Sequence, residues 1–317
     1  MIKPFVRPDV AAFLEAARNS GQPPISHLGH EGARAAISAM RHMFDAEPTP
    51  LAVIRNVTVQ ADGRTIAARL YDRRPSRDAT PLILFFHGGG FVFGDLDTHE
   101  PFCTYFADRI DLPVLAIDYR LAPEHPFPAA PEDCEAAARW AAGSPAELGF
   151  EVSAIATCGD SAGGNLAVVT ARQLSKQPTA VPVIAQFAAY PYFGCGSDFA
   201  SFEEFGEDFM LTAEAMDWFD ELYRASFEDS RVNCMIEPAA PGVPLLIHAA
   251  SLDPLRDQSR TFAEKAKAEG VPVRYAEAEG MIHNFLNLRK AVPSSAADID
   301  KFIEDAKAIL HQCNNPD

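Results

Sequence analysis

The sequence contains no apolar stretch near the ~20 residues that a membrane-spanning helix requires, which argues against a membrane protein. Residues 1–9 include charged residues and two prolines but no apolar core typical of a signal peptide. Basic residues are also few: 27 Lys and Arg stand against 44 Asp and Glu, and the formal net charge is −17. We therefore expect no membrane partner and no nucleic-acid partner.

Motifs for metals, redox chemistry and nucleotides are missing as well. The chain has neither a G-x-G-x-x-G nor a G-x-x-x-x-G-K-[ST] loop, so we expect no cofactor and no metal. The six cysteines form no C-x-x-C pair, which predicts free thiols in a cytoplasmic protein: Cys103, Cys134, Cys158, Cys195, Cys234 and Cys313.

Short apolar runs alternate with helical patterns along most of the chain, which predicts an α/β protein. Continuous apolar strands indicate a mainly parallel sheet with helices on both faces. The strand candidates are 82–86, 114–117, 154–158, 183–189, 245–249 and 273–276, and helices are expected near 99–110, 130–142, 162–175, 258–269 and 297–311.

The N-terminal residues follow a different pattern. Asp9 is a candidate N-cap for a helix over 10–19, and a second helix is expected over 31–44. Asp62-Gly63 then separates two strand-like runs, 54–59 and 66–71, and this dipeptide predicts a hairpin turn.

One long segment, between Tyr190 and Pro244, interrupts the alternation and is rich in aromatic residues. Such a length is not typical of a simple loop, so we interpret it as an inserted, partly helical cap. We expect most of its aromatic side chains to fill the core of the cap and a few to line a pocket. The predicted division is N-terminal cap helices 1–48, a main domain 49–192 and 242–317, and an inserted cap segment 193–241.

A G-x-S-x-G pentapeptide occupies residues 159–163, between an apolar run and a helical pattern. This strand–turn–helix context is typical of a nucleophile elbow, in which a sharp turn exposes the hydroxyl of Ser161. Gly159 and Gly163 leave room for the close backbone approach, and the next N–H, that of Ala162, lies at a helix N-terminus where it can bind an oxyanion.

A second glycine motif, His87-Gly88-Gly89-Gly90-Phe91, follows the apolar run 82–86 directly. Glycines in this position leave backbone N–H groups exposed to a substrate. Acyl transfer requires such donors, because its tetrahedral intermediate places a negative charge on the former carbonyl oxygen. A simple glycine turn is the alternative interpretation.

A serine nucleophile needs a base, and in this fold the chain order is Ser, then an acid, then His. His283 follows a strand in the loop 279–285, whereas His248 lies within an apolar strand pattern and His311 at the end of the last helix. For the acid we favour Asp253, because Pro254 keeps it out of a helix. Asp257 falls where a helix begins and is better explained by the helix dipole.

Four blocks of the sequence resemble the hormone-sensitive-lipase-like branch of the α/β-hydrolase esterases, also called bacterial family IV. They are residues 87–91, residues 118–130 with the sequence DYRLAPEHPFPAA, residues 159–166, and residues 253–257 with the later His283. Two stretches depart from the pattern: Cys158 precedes the elbow where a branched aliphatic residue is commoner, and residues 231–241 fit poorly.

The resemblance implies the α/β-hydrolase fold, with an eight-stranded, mostly parallel sheet and a helical cap. It assigns the catalytic roles to Ser161, Asp253 and His283, and it implies that His87 braces the glycine loop. The implied oxyanion donors are the N–H groups of Gly88, Gly89 and Ala162. The candidate substrate contacts are Phe91, Asp160, Phe209 and Leu211.

The implied function is that of a serine carboxylesterase acting on short- to medium-chain esters through an acyl-enzyme. The alternatives are an amidase or acyltransferase with the same triad and a non-catalytic small-molecule receptor on the same fold, as in the plant gibberellin receptors, which lack the catalytic histidine. The partner is then a small-molecule ester. An edge strand near 273–276 is a candidate surface for a homodimer.

Overall fold

A single sheet of eight strands forms the centre of the computed structural model, which describes residues 4–61, 63–194 and 198–314. The strand order across the sheet is β1-β2-β4-β3-β5-β6-β7-β8. The strands are β1 (Val53–Ala61), β2 (Arg64–Asp72), β3 (Thr80–Phe86), β4 (Val114–Asp118), β5 (Val152–Asp160), β6 (Val183–Ala189), β7 (Leu245–Leu252) and β8 (Val273–Ile282).

The sheet is mostly parallel. Strand β2 pairs antiparallel with β1 and with β4, and every other neighbouring pair runs parallel. The predicted fold class is confirmed, and each predicted strand lies within an observed one. Strands β1 and β2 form the predicted hairpin, but Asp62 of its turn signal lies outside the described residues.

Nine α-helices connect and cover the strands in the described part of the chain. They are α1 (Pro8–Asn19), α2 (Gly29–Phe44), α3 (Glu100–Ile110), α4 (Ala129–Ala142), α5 (Ala162–Lys176), α6 (Ala200–Phe205), α7 (Ala213–Tyr223), α8 (Arg256–Ala268) and α9 (Ser295–Asn314). Short 3-10 helices cover Ile25–Leu28, Ala146–Leu148 and Phe285–Asn287.

Alternate residues of the central strands enter two separate cores because side chains of a strand point to opposite faces. In β3, Ile83 and Phe85 pack with α3 and α9, whereas Leu82 and Phe86 pack with α4 and α5. Helix α8 covers the second face beside α5. Both faces of the sheet are therefore buried, which explains why its strands read as continuous apolar runs.

The predicted N-cap at Asp9 is wrong. Helix α1 begins at Pro8, and Asp9 lies in its first turn, where its carboxylate accepts hydrogen bonds from the N–H groups of Val10 and Ser294. The residue that precedes the helix, Arg7, makes no side-chain cap. Proline at the first helical position needs no N–H partner, which suits this start.

Helices α2 and α7 lie beside the carboxyl edge of the sheet. Arg34 of α2 donates to the carbonyl oxygens of Val92 and Ala122 at 2.8 and 2.9 Å, and Glu214 of α7 accepts from Ser26 at 2.7 Å. The division into a main domain and a cap stays a prediction. Among the described residues, no helix is both long and apolar enough to cross a bilayer.

Candidate active site

The polar residues singled out by the motifs meet at the carboxyl edge of the parallel sheet. Ser161 follows β5, Asp253 follows β7 and His283 follows β8, while the glycine loop at 88–90 follows β3. Loops after neighbouring parallel strands converge at this edge, so residues far apart in the sequence come into contact.

Ser161 lies in a strained turn between β5 and α5. Its φ and ψ angles are 53° and −118°, which few residues other than glycine adopt. A Cβ at Gly159 would collide with the backbone of Gly163, and one at Gly163 would collide with the carbonyl of Phe86. These contacts explain why glycine flanks the serine on both sides.

Ser161, His283 and Asp253 form a continuous hydrogen-bonded chain. The Nε2 atom of His283 lies 2.9 Å from Ser161 Oγ, and its Nδ1 lies 2.7 Å from Asp253 Oδ2. The other oxygen of Asp253 accepts from the Leu255 N–H at 2.9 Å, which fixes the carboxylate in its loop. Asp253 is buried, so water does not compete for the bond with the imidazole.

The rejected candidates lie elsewhere. His248 is buried in β7 beside Asp305, and His311 lies in the last turn of α9. Asp257 lies in the first turn of α8, where it accepts from the Ser201 N–H and pairs with Arg256 and Arg260. The structure thus brings together the acid and the base that sequence order favours.

The structure corrects the predicted role of Gly88. Its N–H donates to Asp160 Oδ1 at 2.8 Å and points away from the serine, so it is not available to an oxyanion. In the described residues, the N–H groups of Gly89, Gly90 and Ala162 have no acceptor, and Gly90 and Ala162 line the same cavity as Ser161. The free glycine N–H groups are therefore those of Gly89 and Gly90, one residue later than the predicted Gly88 and Gly89.

Asp160 was predicted to contact substrate, and the structure places it behind the site instead. Its side chain is 1% exposed and receives hydrogen bonds from the Gly88 N–H and, at 3.3 Å, from the Tyr190 hydroxyl. His99 Nε2 lies 3.4 Å from Oδ1. Burial favours the neutral acid, but His99 and the Gly88 N–H outweigh it and hold the pKa of Asp160 below its ordinary value.

A cavity that is partly open to solvent lies over Ser161. Phe91 and Leu211 line it, and their contact with a substrate stays a prediction. Phe209 is not among the lining residues and packs edge-to-face on Phe205 at 5.2 Å between ring centres.

Comparison with known proteins agrees with this architecture. Residues 83–287 match a family described as having the alpha/beta hydrolase fold. The chain belongs to the α/β-hydrolase family. Carboxylesterase NlhH of Mycobacterium tuberculosis is 34% identical over 98% of this chain and 100% of its own length. An ethyl acetate hydrolase of Pseudomonas putida is 31% identical over 94% of this chain and 98% of its own length.

Solved structures extend this similarity. An ester hydrolase from the metagenome of Lake Arreo, solved with a bipyridine phosphonate derivative, has a TM-score of 0.88 at 30% identity and covers 96% of this chain and 99% of its own. A hyperthermophilic esterase of Pyrobaculum calidifontis has a TM-score of 0.89 at 29% identity, covering 97% and 99%. The resemblance to the hormone-sensitive-lipase-like α/β-hydrolases is thus confirmed.

In this α/β-hydrolase, His87 lies beneath the glycine loop. Its Nδ1–H donates to the Gly88 carbonyl at 2.8 Å, and its ring stacks on Tyr119 with 4.3 Å between centres. The Tyr119 hydroxyl in turn donates to the His87 carbonyl at 2.7 Å. Burial, together with the nearby His99, lowers the pKa of His87 to about 4, so the ring is neutral at pH 7. These contacts support a bracing role, which remains a prediction.

Several lining residues of the hydrolase cavity were not singled out from the sequence. Tyr192 follows β6, Met216, Phe219 and Asp220 come from α7, and Leu255 follows the predicted acid. Tyr192 and Phe219 belong to the aromatic-rich segment between Tyr190 and Pro244. We expected a few aromatic side chains of this segment to line a pocket, but the sequence did not indicate which ones. A signal in the sequence was available: Phe219 and Asp220 follow Met216 by three and four residues, so all three lie on one face of α7.

Metal-binding groups are not apparent in residues 4–61, 63–194 and 198–314, where no set of three or more His, Cys, Asp or Glu side chains is arranged to hold an ion. Five cysteines are free thiols, and four of them are buried. Cys195 lies outside the described residues.

Proposed function

We propose that the protein is a serine carboxylesterase that hydrolyses short- to medium-chain esters through an acyl-enzyme. The observation that carries the proposal is the Ser161–His283–Asp253 chain, with contacts of 2.9 and 2.7 Å beneath a largely apolar cavity. The esterase names of the relatives and structural neighbours support the same reaction.

In the first half of the proposed reaction, Ser161 Oγ attacks the ester carbonyl while His283 Nε2 takes the hydroxyl proton. Asp253 accepts the hydrogen bond from Nδ1–H and stabilises the imidazolium without taking its proton. The tetrahedral intermediate then expels the alcohol, to which His283 returns the proton. The product of this half is an ester between the acyl group and Ser161.

In the second half, water replaces the alcohol as the nucleophile. His283 takes a proton from the water, which attacks the acyl carbon, and then protonates Ser161 Oγ as the carboxylic acid leaves. Gly89, Gly90 and Ala162 are the proposed oxyanion donors in both halves, because their N–H groups lack an acceptor in the described part of the chain. Each such donor is worth about 3 kcal/mol of barrier.

The proposed chain-length preference follows from the cavity. The bulky side chains of Leu211, Met216 and Phe219 line the cavity at Ser161 and restrict the room for a long acyl chain. We expect kcat/KM to fall once the acyl chain exceeds about eight carbons. A constant kcat/KM from butyrate to palmitate, measured with 4-nitrophenyl esters, would contradict this preference.

Replacement of the nucleophile tests the proposed function directly. Ser161→Ala should lose nearly all hydrolysis of 4-nitrophenyl acetate and butyrate while its circular dichroism spectrum stays that of the folded protein. A phosphonate ester should label the unmodified protein and leave Ser161→Ala unlabelled, as followed by intact-protein mass spectrometry. Near-unchanged turnover of Ser161→Ala would show that another residue is the nucleophile.

We also propose a cytoplasmic location and a homodimer. Five free thiols, four of them buried, support a reducing compartment. Strand β8 lies at the edge of the sheet, where unpaired backbone groups can hydrogen-bond to a second copy. Light scattering coupled to size-exclusion chromatography tests the dimer, and a monomer at micromolar concentration would count against it.

A further inference from the structure

One acidic side chain lines the otherwise apolar and aromatic cavity above Ser161. Asp220, on the last turn of α7, shares this lining with Leu211, Met216 and Leu255. No lysine, arginine or glutamate among the described residues lines the cavity. A partly exposed carboxylate in such surroundings favours a partner of opposite charge, since the apolar neighbours take away part of its hydration.

The protein provides Asp220 with little compensation. The Tyr192 hydroxyl donates to its Oδ1 at 3.1 Å, and no ion pair within the described residues includes Asp220. Burial, with the nearby charge of Asp217, raises the pKa of Asp220 to about 6 despite that hydrogen bond. The side chain is therefore an anion at neutral pH, and no cationic side chain among the described residues pairs with it.

The surroundings of Asp220 favour a cation. Three aromatic residues, Phe91, Tyr192 and Phe219, line the same cavity, and aromatic faces attract ammonium groups. Helix α7 adds three further acidic residues and no basic one: Glu214, Asp217 and Glu221. The negative electrostatic field of this helix raises the local concentration of positively charged molecules and disfavours the approach of anions.

We infer that Asp220 determines specificity by binding an ammonium group of the substrate, so that the cavity prefers esters that carry a positive charge. The inference rests on the proposed esterase function and adds the chemical class of the ester. The ammonium can belong either to the alcohol or to the acyl part, and the two are distinguished by experiment.

Matched ester pairs test the inference. For the alcohol part, kcat/KM is compared for acetylcholine and its uncharged isostere 3,3-dimethylbutyl acetate. For the acyl part, it is compared for the 4-nitrophenyl esters of 6-aminohexanoate and heptanoate. We expect the charged member of at least one pair to be preferred about tenfold, and that preference to fall at least fivefold in Asp220→Asn.

Two features of the variants make the result specific. Asn at position 220 keeps the side-chain volume and an oxygen that can accept from Tyr192, so the change removes the charge alone. Asp217→Asn is the control, because it removes the same charge from an exposed position on the same helix that does not line the cavity. We expect this control to keep the activity and most of the preference for the charged ester, because Asp217 adds to the field of the helix but does not line the cavity.

Each outcome decides the inference. A ratio near one for both pairs in the unmodified protein would overturn it, as would an equal loss of preference in Asp217→Asn. If no ester is hydrolysed, the proposed function fails, and calorimetry with Ser161→Ala still tests the ammonium site. There, acetylcholine should bind about tenfold more tightly than 3,3-dimethylbutyl acetate, and adding Asp220→Asn should remove the difference.

Discussion

Replacement of Asp160 tests whether the buried acid beside the proposed nucleophile holds the proposed oxyanion loop in place. Its Oδ1 accepts the Gly88 N–H at 2.8 Å, and Gly89 and Gly90, the proposed oxyanion donors, come next in the chain. Asp160→Asn keeps the size and one acceptor oxygen but removes the charge. Asp160→Ala removes the acceptor entirely and leaves the Gly88 N–H buried.

The magnitudes follow from these contacts. A hydrogen bond to a charged group contributes about 1.5–3 kcal/mol and one between neutral groups about 0.5–1.5, so Asp160→Asn should weaken the Gly88 bond by roughly 1 kcal/mol. If the weaker Gly88 hydrogen bond raises the energy of the transition state by this amount, kcat falls about fivefold to tenfold. In Asp160→Ala the loop can move, and losing one oxyanion donor costs about 10²–10³ in kcat.

The assay separates binding from chemistry. Oxyanion donors act on charge that develops in the transition state, so kcat for 4-nitrophenyl butyrate should fall while KM changes little. Asp133→Asn is the control, because Asp133 is also fully buried and bonded to Arg64 and Arg120, but it lies outside the cavity lining. It should lower the free energy of unfolding and keep kcat for the folded protein.

Two results would refute the reasoning about Asp160. If Asp160→Ala keeps kcat within twofold of the unmodified protein, the Gly88 bond does not position the donors. If Asp133→Asn lowers kcat as much as Asp160→Ala, the loss reflects general destabilisation. A large rise in KM alone would instead indicate that Asp160 contributes to substrate binding.

Three further predictions concern other parts of the protein. Asp253→Asn should lower kcat about 10⁴-fold in steady-state assays, because the amide favours the wrong tautomer of His283. Gly90→Ala should lower kcat/KM by about 100-fold, since φ is +59° and the added Cβ meets the Phe219 ring and displaces the loop; unchanged kinetics would contradict this displacement. Burial raises the pKa of Asp118 to about 6, so the folded state binds a proton more readily than the unfolded chain and loses stability as pH rises from about 4 to 6. Asp118→Asn should therefore raise the free energy of unfolding by about 2 kcal/mol at pH 7.5 and by little at pH 4, as measured by urea denaturation.

The strand and helix pattern was predictable because the physical signal is local. Strands buried on both faces must be apolar throughout, and the strand predicted over 183–189 has the observed bounds of β6. Helix starts were harder to predict, as Asp9 shows, because several residues near a helix terminus can serve as the N-cap. Here the helix begins at Pro8, which suits the first helical position. The candidate base and acid followed from chain order, which a fold of this topology requires.

The positions that sequence reasoning assigned wrongly depend on contacts between distant segments. Gly88, Gly89 and Gly90 are chemically identical, and only the partner of each N–H distinguishes them. That partner is Asp160, which lies 72 positions away in the sequence and reaches Gly88 through the pairing of β3 with β5. The same pairing turns Asp160 away from the cavity, although its neighbour Ser161 faces it.

The sequence by itself determined the α/β class, the order of the candidate catalytic motifs along the chain and the identity of the candidate nucleophile, acid and base, because periodicity and short motifs encode these locally. Only the tertiary structure decided which backbone N–H groups remain free and which residues of the predicted cap line the cavity at Ser161. Asp220 is an ordinary acidic residue in a helix until the chain folds α7 over the elbow. The packing of α7 places the charge of Asp220 in the cavity, and no local sequence pattern predicts this position.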